Sequence, residues 1–185
     1  MWYFEIEEIM NSPFLQLPAF DKETGKLNTI IETSKGVRNK YKFMPDIGLF
    51  ALDKSLATGM VFPHDFGFIP STKGEDGDPL DVLVLMEEST FCGCIVRTRL
   101  IGVIEAKQKE LSGKIVRNDR FIAVFDKQPT YADVEELTDL NARVVDEIEH
   151  FFISYTEMEG SKKFMPLKRS GSRAAQRLIK SQMSG

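Results

Sequence analysis

Cysteine and histidine are scarce in this chain, with two of each. Cys92 and Cys94 stand one residue apart on an expected strand, so their side chains point to opposite faces. That excludes an easy disulfide between them, and a zinc site would need partners that the distant histidines do not supply. Reduced, structural cysteines in a cytoplasmic protein are the expectation. No apolar run approaches the length that crosses a membrane. The opening Met-Trp-Tyr-Phe-Glu-Ile-Glu-Glu has neither the basic region nor the cleavage signal of a targeting leader. Internal repeats and low-complexity tracts are missing too. Acid is absent from Gly160 onward, while Lys162, Lys163, Lys168, Arg169, Arg173, Arg177 and Lys180 are basic. Such a tail can contact nucleic acid. In a chain of net charge -4, a solvated helix face is the weightier reading.

What is present is ordinary for a globular protein: 185 residues, 42% hydrophobic and 28% charged. This length fits one domain, 1–185, with a core that needs no disulfides. Residues 1–26 read as an irregular N-terminal extension, broken by Asn11-Ser-Pro13 and Pro18. Short strands are expected at Leu27–Thr33, Lys40–Met44 and Leu49–Asp53, the last two forming a hairpin across Pro45–Gly48. Val61–Pro70, dense in aromatics and proline, reads as an ordered loop. Further strands are expected at Val82–Met86, Ile95–Glu105 and Arg120–Phe125, with 107–117 as a hairpin tip. The set, over 27–126, predicts a small barrel. From Asp133 the apolar residues take helical spacing, with Asp133 and Glu136 as a capping box and Gly160 as the stop. A second helix is expected from Ser172, turning Ala174, Ala175, Leu178 and Ile179 inward, so that 133–183 is helical.

The chain is organised around Gly74–Met86. Glu75, Asp76, Asp78 and Asp81 sit on a turn made by Gly74, Gly77 and Pro79, at the mouth of an apolar strand. Acids crowded in this way repel one another unless a positive group lies among them, and a hard divalent cation is the usual answer. A solvated acidic turn is the alternative. An EF-hand is excluded, because Leu80 and Asp81 fall where that loop needs a ligand and a glycine. Phosphate transfer needs cations, basic side chains and a carboxylate to receive a proton from water. The turn offers the first and third; Lys40, Lys54 and Arg120 are candidates for the second.

Gly-Asp-Pro-Leu-Asp-Val-Leu-Val, within Asp76 to Val84, resembles the signature of the soluble family I inorganic pyrophosphatases. Ile31-Glu32, Lys40-Tyr41, Met60–Ile69, Ile101–Ile104 and His150–Tyr155 resemble further family segments in the same order, across roughly residues 27–165. The resemblance implies a mainly β fold, a five-stranded OB-like barrel flanked by two C-terminal α-helices. It implies hydrolysis of pyrophosphate, or a related phosphoanhydride, by a cytoplasmic homo-oligomer that uses Mg2+, with Mn2+ as a substitute. It places Asp76, Asp78, Asp81, Glu32 and Asn118 as metal ligands and Asp78 as the group that orients or deprotonates water. Lys40, Lys54, Arg120 and Tyr155 would grip phosphate. The simpler readings are a strand-face charge for Glu32, a core aromatic for Tyr155 and a solubilising charge for Lys40.

The chain also departs from the family pattern. Lys42 stands where a second acid belongs on the lysine strand, Lys54 replaces an arginine and Phe66 a tyrosine. Gln108 and Asn118 fall at positions of aspartates, and Thr156 at a lysine. By strand alternation Asn118 and Arg120 share a face and Asp119 points away. The site is therefore roughly three charge units more positive than the pattern, which implies fewer divalent ions. Two other readings compete: a non-catalytic binder of a phosphorylated ligand, favoured by Lys42 and Asn118, and a nucleic-acid binder, opposed by the net charge.

Overall fold

In the computed structural model, residues 13–160 and 162–183 are described. The unusual Trp2-Tyr-Phe4 end and the rest of residues 1–12 of the N-terminal extension lie outside them. The first element is a single turn of helix, α1 (Pro13–Gln16), after which Phe20 bridges to Leu27.

Nine strands follow: β1 (Leu27–Thr33), β2 (Asn39–Met44), β3 (Leu49–Ser55), β4 (Asp65–Ile69), β5 (Leu80–Leu85), β6 (Ile95–Lys109), β7 (Ile115–Arg117), β8 (Arg120–Val124) and β9 (Lys163–Gly171). In the order β1-β4-β5-β8-β6, five of them pair edge to edge, and β6 returns to pair with β1. The ring closes, as expected of an OB-like barrel, and closure removes the free edges that would otherwise template aggregation. Strands β2 and β3 form the expected hairpin as a separate two-stranded sheet. Closure brings backbones very near one another at Gly67 on β4. A Cβ there would lie 1.9 Å from the Ile30 carbonyl oxygen, so only glycine fits.

The β-branched and aliphatic runs of β1, β5 and β8 are buried along nearly their whole length. On the face of the sheet that meets helix α2 (Ala142–Glu159), Leu83, Leu85, Ile101, Ile104 and Ile122 pack with Phe62, Phe66 and Phe152. Helix α3 (Ser172–Ser181) lays Ala175 and Ile179 against Leu27, Ile69, Val82 and Val103, with Leu178 half-buried beside them.

Four expectations need correction. Val61–Pro70 is not loop throughout: Asp65–Ile69 is a buried strand, whose alternation was hidden because both of its faces are covered. The hairpin tip is much shorter than 107–117, since β6 runs to Lys109 and β7 begins at Ile115. Helix α2 starts at Ala142, not near Asp133, with Asn141 accepting from the Arg143 N–H at 3.0 Å. The capping box pairs Glu136 with Asp139 around a 3-10 turn at Leu137–Asp139. Finally, the basic stretch 163–171 is no helix face. It is β9, antiparallel to β6 from Gly102 to Lys109. Gly160 does stop α2, in the left-handed conformation, and Ser172 does start α3, its N–H donating to Glu136 Oε2 at 2.7 Å.

Candidate active site

The acidic turn between β4 and β5 opens into a cleft walled by the β2–β3 hairpin, the β7–β8 junction and the C-terminal half of α2. Glu32, Lys40, Lys54, Asp76, Asp78, Asp81, Asn118, Arg120 and Tyr155, all the residues singled out from the sequence, line this cleft. Lys42, Gln108, Thr156, Glu159 and Lys162 line it as well. Each arrives by a local rule. Lys40 and Lys42 are two apart on β2 and so share a face, as do Asn118 and Arg120 across the start of β8. Tyr155 and Glu159 are four apart on α2 and so lie one above the other.

Every aspartate of the turn already has a partner. Both Asp78 oxygens accept from Lys42 Nζ, at 3.0 and 2.8 Å. Arg120 Nη1 lies 2.7 Å from Asp81 Oδ2. Asn118 Nδ2 donates to Asp76 Oδ2 at 3.2 Å, and Arg120 also reaches the Asn118 side-chain oxygen. Arg120 is itself 4% exposed, and its guanidinium carbon lies 4.7 Å from the Phe152 ring centre and 5.3 Å from that of Phe164. Its Nε is buried without a hydrogen-bond partner among the described residues. Stacking holds the guanidinium plane in place. On the opposite wall Lys54 pairs with Glu159 and sits 5.5 Å from the Tyr155 ring centre. Lys40 is 3.7 Å from Asp53.

Glu32, at the end of β1, is buried, and its Oε1 accepts from the Phe43 N–H at 2.7 Å. Burial pushes its carboxyl up to about 7, the Phe43 bond opposes this, and the Asp81 charge adds to it. Burial raises Asp76 too, helped by Asp81 and Asp78 and opposed by a backbone bond and Arg120. The Tyr155 phenol is held far above its ordinary value by burial and by Glu159.

A hard divalent cation would relieve this crowding of carboxylates. The oxygen donors of Asp76, Asp81 and Glu32 fit such an ion chemically. As they stand, though, no three acidic, histidine or cysteine side chains among the described residues are gathered to hold one. Asp119 points away from the cleft, as alternation predicts. It accepts from the Ala106 N–H at 2.9 Å and from Arg117 Nε at 2.7 Å. Glu110 is also outside, bonded to Gln108 Nε2 and paired with Lys162. Neither replaces a missing ligand. Tyr155 stacks on Phe151 in the core and also lines the cleft. Glu159 was missed from the sequence, although its spacing from Tyr155 marks the same helix face.

Acidic oxygens facing fixed cationic groups across an open cleft are the equipment of phosphoanhydride chemistry. Comparison with known proteins makes this specific. The inorganic pyrophosphatase family model matches residues 29–185. An inorganic pyrophosphatase of Nostoc sp. is 42% identical over 144 residues, covering 78% of this chain and 82% of the relative. One from Haloferax volcanii is 36% identical over 168 residues, covering 88% and 92%. Among solved structures, the Thermus thermophilus inorganic pyrophosphatase aligns with a TM-score of 0.82 at 31% identity, over 91% of this chain and 95% of that one. The chain belongs to the inorganic pyrophosphatase family.

Proposed function

We propose that this chain hydrolyses inorganic pyrophosphate to two phosphates and that the reaction depends on Mg2+, for which Mn2+ can substitute. One observation carries the reading: the nine side chains singled out for this chemistry line a single cleft. Asp76, Asp81 and Glu32, with Asn118 at the rim, would hold the metal, which supplies positive charge to phosphate oxygens and acidifies bound water. Arg120, its guanidinium held over the Phe152 ring, faces a phosphate oxygen from the cleft wall. Lys40 and Lys54 face the other phosphate from the hairpin. The Tyr155 phenol, which keeps its proton, donates a hydrogen bond. Asp78, with its side chain 53% exposed at the cleft mouth, is open to water and orients or deprotonates the attacking molecule. The same reading carries a single domain over 1–185, a homo-oligomeric assembly and a cytoplasmic setting.

The test is phosphate release from pyrophosphate, with and without Mg2+, by the native chain and by Asp78→Asn. The expected result is metal-dependent release that falls by about 100-fold or more in the variant. No release from the native chain with either Mg2+ or Mn2+ would overturn the reading and leave a binder of phosphorylated ligands on the same cleft.

A further inference from the structure

Lys42 lines the cleft but has no part in the chemistry above. Lys42 lies on β2 beside Lys40, and its ammonium bonds both oxygens of Asp78. We propose that Lys42 is a built-in counter-ion that takes the place of one divalent cation beside Asp78. The cleft then holds fewer divalent ions than its carboxylates would otherwise gather. The inference rests on the metal dependence proposed for the cleft.

Three observations support it. The Lys42 and Asp78 side chains are 42% and 53% exposed, so no tight packing forces them together, and their attraction accounts for the pairing. A lysine ammonium carries its charge at neutral pH. Second, five carboxylates and five basic side chains line the cleft, so it is balanced before any metal enters. Third, no three acids among the described residues are gathered around a common point; Lys42, Arg120 and Asn118 each occupy one aspartate of the turn. A divalent ion bound at Asp78 would sit about 4 Å from the ammonium, where like charges repel strongly even in a watery site. Lys42 would have to swing away before the ion entered.

The test is Mn2+ binding without substrate, followed by calorimetry and by the electron spin resonance of free Mn2+. It compares the native chain with Lys42→Gln and Lys42→Glu. Lys42 is a half-exposed strand residue, and the glutamine variant keeps the fold measurable if the glutamate does not. The glutamine is expected to tighten the weakest Mn2+ site by roughly tenfold, by removing one opposing charge. The glutamate is expected to bind one more ion per chain. Equal stoichiometry and affinity in all three proteins would overturn the inference, as would the absence of Mn2+ binding in all three. Failure of the hydrolysis reading is separate: a native chain that releases no phosphate, while the variants gain Mn2+ as described, leaves the counter-ion role standing.

Discussion

Arg120 shows how one side chain can belong to the core and to the site at once. It lies over the rings of Phe152 and Phe164, pairs with Asp81 and leaves a buried donor unmet among the described residues. Truncation removes packing and strands the Asp81 charge, and breaking such a buried pair costs about 3–5 kcal/mol. Arg120→Ala should therefore lower the unfolding free energy by that amount, read from urea titration in a metal-free buffer, whereas Arg120→Met, which keeps the stacking bulk, should lose less. His64 makes a different kind of prediction. Burial, with Lys35 nearby, pulls its imidazole down to about 4, and Nδ1 has no partner among the described residues. An unfolded histidine takes its proton near 6.5, so between about 4 and 6.5 the unfolded chain binds more protons than the folded one. The stability contribution is complete above 6.5 and is lost as the pH falls through that window, to a total of about 3 kcal/mol. Urea unfolding from pH 7 to pH 4 should show a shallower acid loss for His64→Gln than for the native chain. Parallel profiles would show that His64 does not drive the acid limb.

At the scale of elements, ring closure depends on β4 lying close against β1. Gly67→Ala drives a methyl group into the Ile30 carbonyl, and neither strand can retreat without losing its other neighbour. The expected cost is about 3 kcal/mol or more, read as a drop in the urea midpoint with the circular dichroism of the folded state retained. How far an element could be read from the sequence follows from how local its cause is. Strand β1 follows the β-branched-rich Leu27–Thr33 segment, and α2 stops where glycine permits a left-handed turn. Strand β9 could not be read in this way. Only Phe164 in it is fully buried, Pro166 interrupts it, and its partner β6 lies some 60 residues earlier in the chain. Its strand character comes from that edge rather than from its own residues. The late start of α2 has a similar cause. Leu137 and Leu140 have helical spacing, but the Glu136–Asp139 box turns them inward as a 3-10 segment, leaving Glu136 to cap α3.

For the whole molecule, the same distinction separates the site's membership from its pairing. The family resemblance named nine side chains, and all nine line the cleft. The partners Lys42–Asp78, Lys54–Glu159 and Arg120–Asp81 join β2 to the turn, β3 to α2 and β8 to β5. Contacts made only when the ring closes leave no periodicity to read. Pairing also decides what the basic C-terminal stretch can do. Lys168 lies 3.3 Å from Glu105, Arg169 is paired with Asp146 and Glu149, and Lys162 is paired with Glu110. For these three residues the acids missing from the end of the sequence are supplied in space by β6, by α2 and by the loop after β6. Nonspecific nucleic-acid binding draws its free energy from basic groups that can neutralise phosphates and release counter-ions. Basic groups already neutralised contribute little to it, and the chain as a whole carries -4. A fluorescent single-stranded oligonucleotide should therefore show no anisotropy change with protein up to about 100 µM at physiological salt, a concentration at which ordinary nonspecific binders are half-saturated or beyond. Saturable binding that weakens steeply with salt would mean that these ion pairs open readily, and that this face, rather than the cleft, meets a polyanion.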